Sequence, residues 1–157
     1  MALNDKDYEI RIITLGDPGV GKTSIFKRFV YDKFDERTSY PIGVAFSYKE
    51  LILKNNEKIT LKLIDTAGQE KFKSLSKSYY RNADGVLFVF AHDYEESFSN
   101  IIYWIDLFEE NTTNKDIPKF LIGNKNDLEK LDNQESFENF IKEHNILRYI
   151  STSARII

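Results

Sequence analysis

Residues 16–23 read Gly-Asp-Pro-Gly-Val-Gly-Lys-Thr, the G-x-x-x-x-G-K-[ST] spacing of a loop that wraps phosphate groups. Glycines let the backbone curl until successive N–H groups point inward at an anion. A helix starting at Lys22 adds the positive end of its dipole to the same spot. The Lys22 ammonium belongs near the terminal phosphates, and the Thr23 hydroxyl is placed to ligate Mg²⁺. The candidate phosphate set is Asp17, Pro18, Gly19, Val20, Gly21, Lys22, Thr23 and Ser24. An apolar run (Ile10, Ile12, Ile13, Leu15) precedes the loop and a helical pattern (Ile25, Phe26, Phe29) follows it. That strand–loop–helix setting separates a phosphate cradle from a glycine-rich turn with a chance Lys-Thr.

Three further segments carry chemistry: Asp65-Thr66-Ala67-Gly68-Gln69-Glu70, Asn124-Lys125-Asn126-Asp127 and Ser153-Ala154-Arg155. Each follows a strand-like run, so all four motifs fall at carboxyl ends of strands, where open α/β sheets bind ligands.

The elements that must position them alternate. Residues 8–15 read as a first strand and 22–30 as a first helix. Residues 31–43 are polar, dotted with aromatics and contain Pro41, which reads as a long loop. Residues 44–53 and 58–64 flank Asn55-Asn56 and read as an antiparallel hairpin; Ile59, Leu61 and Leu63 alternate with Lys58, Thr60 and Lys62. Residues 86–90 (Val-Leu-Phe-Val-Phe) and 120–122 (Phe-Leu-Ile) are apolar throughout, as suits central parallel strands. Phe98, Ile101, Ile105 and Phe108 mark one amphipathic helix, Phe137, Phe140 and Ile141 another, and 147–150 a last short strand. The pattern predicts an α/β fold on a mostly parallel six-stranded sheet with one antiparallel edge strand and helices on both faces. It also calls for a closing helix after Arg155. Without that helix one sheet face would expose apolar side chains, so either the helix is missing from residues 1–157 or another chain or domain covers the face.

The bulk properties agree with one soluble domain. The chain has 157 residues, 41% hydrophobic and 30% charged, and no basic stripe stands out against a formal net charge of -3, which argues against nucleic acid as the main partner. No apolar stretch is long enough to cross a bilayer. The sequence contains no cysteine, which excludes disulfides, thiolate metal sites, a thiol nucleophile and cysteine-borne lipids within this chain. The expected location is cytoplasmic.

The ordered motifs resemble those of Ras-like small GTPases, most closely the Rab branch. Ile42-Gly43-Val44 with Phe46, Ser78-Tyr79-Tyr80-Arg81-Asn82-Ala83 and Glu96-Ser97-Phe98 are similar to Rab segments. The resemblance implies a P-loop G domain over residues 1–157, short of its last helix, that binds GTP and GDP with Mg²⁺ and hydrolyses GTP. Asp127 would accept hydrogen bonds from guanine N1–H and the 2-amino group. Asn124 and Lys125 would brace the loop and line the ring, the Ala154 N–H would meet O6 within Ser153-Ala154-Arg155, and Phe34 would stack on the base. Asp65 would hold Mg²⁺ through a water, the Gly68 N–H would bond the γ-phosphate, and Gln69, with Lys22, would serve catalysis. Exchange factors, GTPase-activating proteins and effectors are the implied partners, in vesicle traffic.

Pro41 breaks the pattern. It stands where the family carries a Thr whose hydroxyl ligates Mg²⁺ and whose N–H reaches the γ-phosphate; proline has neither group. The expectation is slow hydrolysis and a first switch that orders poorly, unless Thr38 or Ser39 moves in. The rival reading is a scaffold module holding GDP or GTP as a structural ligand. Pro18, Ala45, Ile64 and Ala91 are smaller departures; Ile64 leaves the Rab effector triad incomplete beside Phe46 and Tyr79. His92 and His144 read as lone histidines, the first in a loop and the second at the end of a helix, and the Glu95-Glu96 and Glu109-Glu110 pairs as solvated faces.

Overall fold

The computed structural model describes residues 8–36, 44–66, 77–128 and 134–156. Pro41, Gly68 and Gln69 lie outside them, as do Thr38, Ser39, Ile42 and Gly43. The strands are β1 (Tyr8–Leu15), β2 (Ala45–Ile52), β3 (Lys58–Asp65), β4 (Gly85–Ala91), β5 (Lys119–Asn124) and β6 (Arg148–Ser151). The helices are α1 (Lys22–Tyr31), α2 (Lys77–Arg81), α3 (Glu95–Ser99), α4 (Ile101–Asn111) and α5 (Gln134–Glu143).

One six-stranded sheet runs β2-β3-β1-β4-β5-β6. β2 and β3 pair antiparallel, with Ala45 opposite Asp65; the β1–β3, β1–β4, β4–β5 and β5–β6 pairs are parallel. The mixed sheet is the one the alternating pattern predicts. The hairpin turns through Asn56 at φ 64°, a left-handed position that asparagine tolerates, and the Asn56 N–H closes it on the Leu53 carbonyl at 2.9 Å.

Strand alternation divides the core. Ile13, Leu15, Val86, Phe88, Phe90 and Leu121 face one side and pack with Tyr80, Ile101, Trp104, Ile105, Phe108 and Phe137 from α2, α4 and α5. Val89, Ala91 and Ile122 face the other, with Val20 and with Ile25 of α1. Among the described helices α1 alone lies on that second side, and apolar surface remains there around Ile10, Ile12, Leu87, Phe120 and Leu147. Leu147 is 68% exposed and Tyr8 54%.

Two elements differ from expectation. The helix read through Phe98 and Phe108 divides at Asn100, which joins α3 to α4 with near-helical dihedrals (φ −75°, ψ −8°). The next hydrogen bond, from the Trp104 N–H to the Asn100 carbonyl, stretches to 3.4 Å, while the Asn100 side chain reaches the phosphate loop. The apolar stripe itself packs in the core, as read. Helix α2 has five residues and only Tyr80 buried, too short for a periodic signal.

Candidate nucleotide site

The carboxyl ends of β1 and β3 are drawn together before the loop begins. Thr14 pairs with Asp65 in the parallel register. The Thr14 hydroxyl donates to the Ile64 carbonyl at 3.3 Å, and the Thr66 hydroxyl donates to the Thr14 carbonyl. The loop then turns through three glycines at positive φ: Gly16 at 151°, Gly19 at 80° and Gly21 at 96°. At Gly16 a Cβ would lie 2.1 Å from the Val89 carbonyl oxygen, and at Gly21 it would lie 2.2 Å from Asn124 Nδ2. Both positions exclude any side chain on packing as well as on torsion.

Helix α1 opens without a side-chain cap and without an acidic residue in its first turn. Its first N–H groups and its dipole are therefore left for an anion. Lys22 Nζ curls back over the loop to the carbonyls of Gly16 at 2.6 Å and Asp17 at 2.7 Å. Burial pulls this ammonium down to about 8, against the attraction of Asp65 and Asp17. A cation so placed is short of countercharge, which the phosphates of a ligand would supply.

The Thr23 hydroxyl donates to one oxygen of buried Asp65; the other oxygen, Oδ1, is buried and has no hydrogen-bond partner among the described residues. Burial raises the Asp65 carboxyl above its ordinary value, while the Thr23 hydrogen bond and then Lys22 and Lys27 act in the opposite sense. An orphaned buried carboxylate oxygen beside a threonine hydroxyl fits a hard divalent cation such as Mg²⁺. Among the described residues no group of three or more His, Cys, Asp or Glu could hold a metal. Such a cation would therefore depend on phosphate oxygens for much of its shell.

The base end is built from β5 and β6. Asn124 is buried; its Nδ2 donates to the Val20 carbonyl at 2.8 Å and its Oδ1 accepts the Ala154 N–H at 3.2 Å. One side chain thus holds the phosphate loop and the loop after β6 together. Lys125 sits at φ 60° with Nζ on Asp93 at 3.2 Å. Asp127 Oδ1 accepts the Ser153 hydroxyl at 2.5 Å, and Ser153 Oγ accepts the N–H groups of Arg155 and Ile156 at 3.1 and 3.2 Å. The second Asp127 oxygen carries none of these bonds.

These ends share one cavity of about 320 Å³. Pro18, Gly19, Gly21, Lys22, Thr23, Ser24, Phe34, Asn124, Lys125, Asp127, Ser153, Ala154 and Arg155 line it, residues spread from one end of the sequence to the other. Asp35, Glu36 and Leu128 also line it and had no motif to mark them. Two residues of the candidate set turn elsewhere. The Asp17 carboxylate accepts Asn100 Nδ2 at 2.7 Å and the Trp104 indole N–H at 2.8 Å, so only its carbonyl serves the loop. The Val20 side chain is fully buried under the sheet. The Ala154 N–H, expected on guanine O6, is committed to Asn124, so a base would have to share it. The Arg155 guanidinium pairs with Glu36 at 3.2 Å.

His92, read as a loop residue, is buried. Its Nε2 lies 3.1 Å from the Tyr149 hydroxyl and 3.4 Å from the Ser151 hydroxyl, and its N–H caps the Asn124 carbonyl. His144 follows α5, as read.

A model of the Ras family matches residues 11–156. The chain is 44% identical over 126 residues to the mouse Ras and EF-hand domain-containing protein homolog, covering 80% of this chain and 20% of that protein. It is 38% identical over 148 residues to Ras-related protein Rab-18 of Lymnaea stagnalis, covering 93% of this chain and 72% of that protein. With Ras-related protein Rab-11B of Dictyostelium discoideum it shares 39% identity over 150 residues, 94% of this chain and 67% of that one. The chain thus spans about a fifth of the mouse relative and about two thirds or more of the two Rab proteins. The phosphate loop, the guanine-type loops on the same cavity and these matches converge: the chain belongs to the Ras family of small GTP-binding proteins, near its Rab branch.

Proposed function

We propose that this chain binds GTP and GDP with Mg²⁺, hydrolyses GTP slowly, and through that cycle governs partner binding in vesicle traffic. One observation carries the reading: Lys22 and Thr23, whose hydroxyl donates to Asp65, share a cavity with Asn124, Asp127 and Ala154. Phosphate chemistry and guanine chemistry thus sit at two ends of one site. The Asp127 carboxylate left unpaired by adenine would lose hydrogen bonds in a desolvated place, which is what makes the base choice strong.

Thr23 directly, and Asp65 through a water, would hold Mg²⁺, which when bound neutralises charge on the β- and γ-phosphate oxygens. Lys22 and the N–H groups of the loop bind the same oxygens and keep the γ-phosphorus in line with its attacker. Gln69 is proposed to orient the water whose oxygen bonds to that phosphorus as the bond to the bridging oxygen breaks. GDP departs with the electron pair, the proton of the attacking water passes to an oxygen of the released phosphate, and an arginine from a partner would further stabilise the charge.

The slow rate rests on Pro41, which brings neither a hydroxyl nor an N–H to the third phosphate. Without those differential contacts, GTP and GDP would bias the switch regions less unequally. Partners would read the surface where the Phe46 and Tyr79 rings lie 5.5 Å apart; Ile64 beside them is buried. The apolar face around Leu87 and Phe120 is proposed to be covered by a helix or further domain of a longer polypeptide, as the mouse relative's name couples Ras and EF-hand domains.

Single-turnover hydrolysis of bound GTP, measured beside Pro41→Thr, tests the reading. The variant is expected to hydrolyse faster and to separate GTP- from GDP-dependent partner affinity more widely. A wild type that matches the variant in both would refute the account of Pro41. A chain that hydrolyses no GTP in either form would leave the scaffold reading standing.

A further inference from the structure

Arg28 lies on α1, in no motif of its own, and its guanidinium makes four hydrogen bonds to described residues. Nε donates to the Ala154 carbonyl at 2.9 Å and Nη2 to the Arg155 carbonyl at 3.1 Å. Nη1 donates to the Asp32 carbonyl at 3.1 Å and to Asp32 Oδ1 at 3.0 Å. Asp32 ends α1 in the left-handed region at φ 52°, its N–H on the Arg28 carbonyl at 2.9 Å. The chain then runs directly to Phe34, Asp35 and Glu36, all of which line the cavity.

One planar group therefore pins two walls of the site, the loop after β6 and the Asp32 turn that leads to Phe34. The first turn of the same helix places Lys22 and Thr23 on that cavity. We infer that Arg28 is the positioning residue that sets how long a nucleotide is retained, resting on the guanine-nucleotide reading above. It acts through Ala154 and Arg155: their carbonyls fix the loop whose Ser153 holds Asp127, the carboxylate that reads the base. The Arg28 side chain is 24% exposed, and its bond to the Ala154 carbonyl lies partly shielded from water. The neighbouring Arg155–Glu36 pair, with side chains 54% and 70% exposed, is a weak clasp by comparison. A lysine cannot replace Arg28, because a point charge lacks the fork that spans two successive carbonyls and a third segment.

The test is the release rate of fluorescent GDP and of fluorescent IDP, whose base lacks the 2-amino group read by Asp127, in Mg²⁺ buffer. Wild type, Arg28→Ala and Arg28→Lys are compared, with thermal melting as the control on folding. Both variants are expected to release GDP about tenfold faster and IDP only about twofold faster, so that the preference for GDP narrows about fivefold. If Arg28→Ala does not fold, Arg28→Lys carries the comparison. GDP release at the wild-type rate, or equal acceleration for both nucleotides, overturns the inference. Failure of the wild type itself to retain GDP would instead overturn the guanine-nucleotide reading.

Discussion

The Asp17 carboxylate accepts the indole N–H of Trp104 at 2.8 Å, joining the phosphate loop to helix α4. Asn100 adds a second neutral donor at 2.7 Å from the point where α3 gives way to α4. A negative charge directly beneath a phosphate site is unfavourable unless it is turned away and satisfied, and these two donors do both. Trp104→Phe keeps most of the packing and removes one donor from a buried carboxylate. It is expected to cost about 1–3 kcal/mol in urea unfolding. Asp17→Asn made in the Trp104→Phe background should cost less than in the wild type; additive losses would show that the two residues are uncoupled.

Gly16 approaches the Val89 carbonyl so closely that Gly16→Ala must move the backbone of the loop or of β4. The expected loss is about 2–4 kcal/mol of stability or its equivalent in nucleotide affinity. Gly85 is the contrasting case, since the nearest atom to its Cβ would be the end of the Ile12 side chain at 3.0 Å, with the Pro118 carbonyl oxygen at an ordinary 3.6 Å. Comparing Gly16→Ala with Gly85→Ala by thermal melting checks this, and equal small losses would contradict it.

Lys22 titrates near 8 in the folded chain against an ordinary 10.5, because burial disfavours its charge. Between those values the unfolded chain binds more protons, so stability of the nucleotide-free protein rises with pH across that window. Phosphates restore the charge, so nucleotide binding draws in a proton. Calorimetry at pH 8 in buffers of different ionisation heat should show uptake of about half a proton per nucleotide. No uptake there would mean that Lys22 is already fully charged before binding.

Asp127→Asn replaces a carboxylate that can accept from guanine with an amide that offers a donor on one side. GDP affinity is expected to fall about 100-fold or more. Binding of xanthosine diphosphate, which carries a carbonyl where guanine has its 2-amino group, should rise. The Ser153 hydroxyl keeps an acceptor in either variant, so folding should be little changed. Competition binding of the two nucleotides measures the exchange, and an unchanged preference would remove Asp127 from base recognition.

Much of the fold was legible because the central strands carry apolar residues on both faces and the amphipathic helices on one. Apolar runs such as Val86–Phe90 and the stripe from Ile101 to Phe108 state that directly. The phosphate and base loops were legible because their chemistry is compressed into a few contiguous residues. Helix α2 was not, since one buried tyrosine in five residues leaves no period. Asp35, Glu36 and Leu128 were not, since nothing local marks a residue as facing a cavity formed by distant strands.

The sequence by itself determined the loop at residues 16–23 that is proposed to grip phosphate, because torsional freedom at glycine and the spacing to Lys22 are local properties. Only the tertiary structure decided which side chains serve that grip. Asp17 meets Trp104 across 87 positions of sequence and Arg28 meets Ala154 across 126. Those meetings are set by parallel strand order and by the packing of helices on the sheet. A hydrogen bond between residues so far apart leaves no trace in local composition or periodicity.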